Sequence, residues 1–257
     1  MSRQARVITD TGVYHTMIRG VNRQIIFEES SDYLHFLDLA KRFKEDCGID
    51  VLAYCLMDNH AHFVLKDNTN TLSLFFKKLN TVYAMYYNEK YDHTGHLFQG
   101  RFRSEVIKTD AQLMQTIRYV HCNPIKAGIC KTPEEYRFSS FRDYTADAKN
   151  TICETTLAAS IAGGTDSFIR FNMETSDYKC MDDHPGRRRV SDAEAESIVK
   201  EMSEIPASIF FQSLDKDSRD TLIAELKNKG LSHTQISRLT GLSKGIVARA
   251  RAEDNFK

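Results

Sequence analysis

The chain predicts an α+β fold: a ferredoxin-like (RRM-like) antiparallel sheet with helices on one face, then a small all-α domain. Three observations carry this. Residues 51–57 and 60–66 are apolar, β-forming runs separated by the turn pair Asp58-Asn59, which is a hairpin signal. Residues 31–47 and 71–91 repeat apolar side chains at spacings of three and four, which is the helical period. Adding strands near 13–20 and 103–107 gives the order βαββαβ, the split layout of that fold.

Val13-Tyr14-His15-Thr16-Met17-Ile18-Arg19 reads as the first strand, stopped by Gly20, with 21–24 a polar loop. In the first helix Tyr33, Phe36, Leu37, Ala40 and Phe43 form the apolar side, Ser30 or Ser31 caps the start and Gly48 stops it. In the second, Leu72, Phe75, Phe76, Leu79, Val82, Tyr83 and Tyr86 form one stripe. A loop from Gly95, rich in arginine, glycine and aromatics, leads into the fourth strand, and at least one of Phe98 and Phe102 reads as core. A third helix from Asp110, with Leu113, Met114 and Ile117 inward, ends before Pro124, which disfavours a helical residue ahead of it. Three segments are expected: a catalytic domain at 1–145, a connector at 146–190 ending in Arg187-Arg188-Arg189, and a helical domain at 191–257 opened by the N-cap Ser191.

Lysine plus arginine equal aspartate plus glutamate at 35 each, so a nucleic-acid surface must be local. Six cysteines without a CxxC pair, no early apolar run and no stretch of bilayer length give a cytoplasmic expectation with no membrane partner.

The chemistry centres on the second strand of the hairpin. Side chains alternate there, so His60, His62 and Val64 share one face and Ala61, Phe63 and Leu65 the other. Two imidazoles side by side suit one divalent cation with a third ligand from elsewhere, and equally suit a solvated polar face. Tyr119 and Asn123, four apart, share a helix face that the closing helix can bring over the histidines. Arg19, Arg23, Arg101, Arg103 and Lys126 are candidate phosphate contacts, with ordinary solvated charge as the alternative for each.

Asn59-His60-Ala61-His62, followed by Arg118-Tyr119-Val120-His121-Cys122-Asn123-Pro124-Ile125-Lys126-Ala127-Gly128 and by Pro133-Glu134-Glu135-Tyr136-Arg137-Phe138-Ser139-Ser140, strongly resembles the single-tyrosine HUH transposases, over roughly residues 5–145. The resemblance implies that His60, His62 and Asn123 hold Mg²⁺ or Mn²⁺. It implies that Tyr119 attacks the scissile phosphate of single-stranded DNA, with a hairpin beside it, to give a 5′-phosphotyrosine and a free 3′-hydroxyl. Many members carry glutamine where this chain has Asn123, whose carbonyl oxygen also suits a hard cation. Tyr87 is the rival nucleophile, and His121 reads as a surface residue on another side of the helix. Residues 230–251 resemble the helix-turn-helix modules of replication initiators and sigma-type regulators, which implies duplex DNA facing Ser243, Lys244, Arg249 and Arg251. A plain three-helix bundle is the alternative. The function expected is metal-dependent cleavage and rejoining of single-stranded DNA, by a monomer or a homodimer with shared sites. A non-catalytic DNA-binding regulator derived from such an enzyme is the leading alternative. An RRM-like RNA binder would instead present exposed aromatics on its central strands.

Overall fold

The computed structural model describes residues 11–145, 151–174, 178, 190, 192–202 (side chains from 195) and 206–250. Arg187, Arg188, Arg189, Ser191 and Arg251 therefore lie outside the described residues. The chain divides into two compact units, residues 1–84 with 98–186, and residues 85–97 with 187–257.

The first unit is built on a four-stranded antiparallel sheet: β1 (Val13–Arg19), β2 (Ile49–Met57), β3 (His60–Asp67) and β4 (Arg103–Val106), in the order β2-β3-β1-β4. The histidine strand is central, as its continuous burial requires. The free edge of β2 is closed by main-chain bonds from Leu56 N to Phe138 O (2.9 Å), Ser140 N to Tyr54 O (3.0 Å) and Glu154 N to Val51 O (2.8 Å). An edge so covered has no row of bare donors left for another strand.

Helices α1 (Ser30–Cys47) and α2 (Leu72–Tyr91) cover one face of the sheet. Phe63 from β3 meets Phe36 of α1 and Phe76 of α2, each at 6.3 Å between ring centroids, and Tyr83 packs edge-on to Phe36 at 4.9 Å. Each of these fully buried rings contributes roughly 2 kcal/mol by leaving water. The start of α1 is held by Asp32, whose carboxylate accepts from the backbone N–H groups of Glu28 (2.8 Å) and Glu29 (3.0 Å). The cap position is thus Glu29, one residue before the expected serines. Gly48 ends α1 with φ of 62°, a conformation glycine adopts without a Cβ penalty. On α2 the expected stripe holds except at Val82, which is 38 % exposed. Phe102 stacks on Phe76 at 4.2 Å, and Phe98 lies 6.3 Å from Tyr83.

Helix α3 (Asp110–His121) crosses the opposite face, so the sheet is sandwiched rather than covered on one side alone. Thr109 caps it by accepting from Gln112 N. After Cys122 a short α4 (Asn123–Lys126) begins, followed by α5 (Phe141–Thr145), α6 (Thr156–Ala162) and α7 (Thr165–Met173). The expected connector is, in its described part, core. Ala158 and Phe168 are fully buried against α3, and Phe168 stacks on Tyr144 at 4.0 Å. The alanine-rich, Gly163-Gly164 and polar runs read as a partly helical connector, and α6 and α7 are its helices.

The second unit contains α8 (Asp192–Lys200), α9 (Ala207–Ser213), α10 (Lys216–Asn228), α11 (His233–Thr240) and α12 (Lys244–Arg249). Phe211, Ile223, Leu226, Ile236 and Val247 form its core. Gly241 takes φ of 71° to end α11, and Ser243 starts α12. Among the described residues no helix is long and apolar enough to cross a membrane.

Candidate active site

The two histidines sit where they do because of strand parity. Across β1 and β3, Met17 pairs with His62 and Arg19 with His60; across β1 and β4, Met17 pairs with Arg103 and His15 with Glu105. Paired residues point to the same side of an antiparallel sheet. His15, Arg19, His60, His62 and Arg103 therefore share the face that α3 crosses.

The hairpin turn is clamped from outside. Asp58 O accepts from Ile26 N (2.8 Å) and Phe27 N (3.0 Å), and Asn59 O accepts from Gly20 N (2.9 Å). Asn59 also spends its side chain. Its Nδ2 donates to Arg23 O (3.2 Å), so its Oδ1 is the atom 2.6 Å from His60 Nδ1. An amide oxygen only accepts, so His60 carries its proton on Nδ1 and presents a lone pair on Nε2. His62 Nδ1 lies 3.0 Å from His15 Nε2, and the two rings stack at 5.2 Å. His15 was not singled out from sequence; its only signal is that it shares odd parity with Met17 and Arg19 on β1.

Tyr119 comes down from α3, 4 % exposed, and sets its ring edge-on to both His62 and His15 at 5.9 Å. Lys126 from α4 holds its ammonium 4.5 Å above the Tyr119 ring. Asn123 does not simply continue the helix from Tyr119. Cys122 breaks the run with ψ of 0°, and Asn123 opens α4 with Pro124 in its first turn. The missing N–H of proline explains the break. Asn123 is buried, and its Nδ2 has no hydrogen-bond partner.

Burial dominates the electrostatics. It pushes His60 down to about 3 and His15 down to about 4, and holds His62 well below the ordinary imidazole value; the Arg19 charge lowers His60 further, and His60, His15 and then Arg19 lower His62. All three rings are neutral at pH 7 and keep a lone pair. Arg19 is itself lowered by desolvation and by Arg23 and Arg103, and raised by attraction to Tyr119. Met17, Arg19, Gln99, Arg101 and Arg103 line a cavity of about 190 Å³. Gln99 N donates to Arg19 O at 2.8 Å, which brings the arginine-rich loop to the end of β1.

Among the described residues no three histidine, cysteine or carboxylate side chains converge as a metal site, so a cation here needs a donor of another kind. The fit is chemical. His62 Nε2 is buried without a hydrogen-bond partner, His60 Nε2 carries a lone pair, and Asn123 offers an amide oxygen, a mixed nitrogen and oxygen set of the kind that a divalent cation can use.

Other sequence expectations land elsewhere. His121 is fully buried, not on the surface: its Nδ1 meets Asn172 Oδ1 (2.9 Å) and its Nε2 meets Ser140 Oγ (2.8 Å). Tyr87, the rival nucleophile, is 1 % exposed and packs on Tyr91 at 4.7 Å. In the second unit, Ser243 Oγ accepts from Ile246 N, Lys244 lies 5.2 Å over the Tyr91 ring, and Arg249 bonds Asp92 at 2.6 Å. These three are engaged within their own unit.

Residues 9–123 match the model of the family "Transposase IS200 like". A Haemophilus influenzae protein named as a REP-associated tyrosine transposase is 23 % identical over 165 residues, spanning 57 % of this chain and 90 % of that protein. A solved REP-associated tyrosine transposase bound to a REP hairpin superposes with a TM-score of 0.53 at 17 % identity, covering 74 % of this chain and all of that one, which is a likeness of fold. Residues 9–123, which hold the sheet, its covering helices and the tyrosine helix, are thus similar to the IS200-like transposases.

Proposed function

We propose that this protein is a transposase that cuts and rejoins single-stranded DNA through a covalent bond to Tyr119. The observation that carries this reading is the placement of the Tyr119 ring against His62 and under Lys126, beside an unpartnered His62 Nε2. The Tyr119 oxygen attacks phosphorus, the bond from phosphorus to the 3′-oxygen breaks, and the departing strand keeps a 3′-hydroxyl. The phenolic proton leaves to solvent, and the 3′-oxygen takes one up. Rejoining runs the same exchange in reverse with a new 3′-hydroxyl, so the phosphodiester energy is retained without ATP.

A free tyrosine ionises near pH 10. Lys126 and Arg19 supply positive charge beside the phenol, and that charge favours the phenolate needed for attack. His60, His62 and Asn123 would hold Mg²⁺ or Mn²⁺, which supplies charge to the scissile phosphate. The cavity lined by Arg19, Arg101 and Arg103 suits the phosphates next to it, with Arg23 on the neighbouring loop. The solved neighbour is bound to a hairpin. For this chain we propose a single strand adjoining a hairpin as substrate, with duplex DNA on α11 and α12 of the second unit.

The test is a labelled library of single-stranded DNA with hairpins, incubated with Mn²⁺ or Mg²⁺ and run on denaturing gels. A protein-linked band that disappears on chelation and in Tyr119→Phe is expected. A band that survives Tyr119→Phe would move the nucleophile elsewhere, and no adduct with any member would sink the enzymatic reading in favour of a DNA-binding regulator.

A further inference from the structure

We infer that His15 is a positioning residue that selects the tautomer of His62, and thereby the atom that His62 offers to a cation. This rests on the function proposed above only for its purpose; the geometry stands without it.

His15 is 1 % exposed on β1, and its Nε2 sits 3.0 Å from Nδ1 of His62 with the rings stacked at 23°. A neutral imidazole has one N–H and one lone pair. One hydrogen therefore lies between the two nitrogens, and there are two arrangements. If His62 Nδ1 donates to His15, His62 Nε2 is a lone pair and can ligate a cation. If His15 Nε2 donates to His62, His62 Nε2 bears a hydrogen and cannot.

The far nitrogens, His15 Nδ1 and His62 Nε2, are both buried without a hydrogen-bond partner. Either arrangement leaves one orphan N–H and one orphan lone pair, so this count does not choose. Charge does. The β1–β3 register sets His15 and Arg19 on opposite sides of His62 along the strand, since His15 pairs with Val64 and Arg19 with His60; the His62 nitrogen turned away from His15 is therefore on the guanidinium's side, where a lone pair is favoured over an N–H dipole. The neighbouring ligand is set in the same sense, since Asn59 already fixes the His60 proton on Nδ1. With His15 accepting, both histidines present Nε2 lone pairs on one face. Orienting partners of this kind fix the ring and raise ligand basicity. A buried polar ring is costly where an aliphatic side chain would fill the space, and the pairing with His62 gives His15 a reason to be there.

The test reads the proton directly. Long-range proton–nitrogen NMR on metal-free, ¹⁵N-histidine-labelled full-length protein, assigned with His62→Gln, should show His62 protonated at Nδ1 and bare at Nε2. The same protein titrated with Mn²⁺ by electron paramagnetic resonance gives affinity. His15→Leu should weaken Mn²⁺ by about 10- to 100-fold. His15→Gln, whose Oε1 accepts a hydrogen bond, should restore most of it and keep the Nδ1–H form. A His62 protonated at Nε2 in the unsubstituted protein would overturn the proposal, and that reading needs no variant to fold. Unchanged Mn²⁺ affinity in a folded His15→Leu would overturn it too. Tyr119→Phe, which removes the DNA adduct, should leave both readouts in place, so a failure of the transposition chemistry is distinguishable from a failure of this one.

Discussion

Oδ1 of Asn59 lies 2.6 Å from Nδ1 of His60, and the same amide holds the Arg23 carbonyl through Nδ2. One buried side chain thus ties a site histidine to the loop that follows β1, where Asn22 and Arg23 adopt φ of 50° and 59°. Asn59→Asp keeps an acceptor for His60 and loses the donor to Arg23; Asn59→Ala loses both. Mn²⁺ affinity should fall by about 10- to 100-fold in the alanine variant and much less in the aspartate variant, as isothermal titration would show.

Lys126 stands over the Tyr119 ring at 4.5 Å. Lys126→Met keeps the length of the side chain and removes its charge. Single-turnover cleavage of single-stranded DNA should slow about two- to fivefold at pH 7, the scale of a cation–π contact made by an exposed lysine. The rate should recover as pH rises and free hydroxide ionises the phenol. A loss that is the same at every pH would mean that Lys126 acts on the DNA instead.

Arg103 lines the basic cavity and is exposed. Arg103→Ala should weaken single-strand binding and make the slope of log affinity against log salt shallower by about 0.7, the share of one phosphate contact on a single strand. Fluorescence anisotropy over a salt series measures it. An unchanged slope would place the phosphate chain elsewhere.

His121 is held neutral by burial, with its ring lowered to about 4 against partial support from Asn172. Its folded value lies below its unfolded value near 6.5, so the unfolded chain binds the extra proton first. Stability is therefore constant above about pH 6.5 and falls as pH drops through the window from 6.5 to 4. At pH 5 this one ring should cost roughly 2 kcal/mol. Urea midpoints at pH 7 and pH 5, compared between the natural protein and His121→Gln, isolate its share.

Phe168 stacks on Tyr144 and is fully buried in the first unit. Phe168→Ala should destabilise that unit by about 3–5 kcal/mol. Loss of stability under about 1 kcal/mol in chemical denaturation would mean that residues 156–173 only connect the two units.

Much of the frame was legible because it is local. Period two along residues 51–65 placed both histidines on one face, and Gly48 stopped α1 where predicted. What was lost is what needs partners far along the chain. His121 looks like a solvated residue until Asn172, 51 positions away, comes against it. His15 gains meaning only from the β1–β3 register, which no short segment of sequence states. Pro124 announced the end of a helix, but not that Asn123 would open a new one. Tyr87 stands as a rival to Tyr119 in the sequence because the helical period alone leaves open that it packs on Tyr91.

The two-residue turn at Asp58 and Asn59 carries a lesson about what change this protein can absorb. Its carbonyls are gripped by Gly20, Ile26 and Phe27, and β3 behind it has Phe63 pointing into the aromatic core and His62 pointing to Tyr119. An inserted or deleted residue at that turn would slide β3 by one place and exchange its two faces. The imidazoles would be driven among phenylalanine rings, and Phe63 would occupy the reactive cleft. Loops elsewhere can lengthen and shorten over generations, whereas this hairpin ties foldability and reactivity to one length, so a lineage that alters it gives up both in a single step.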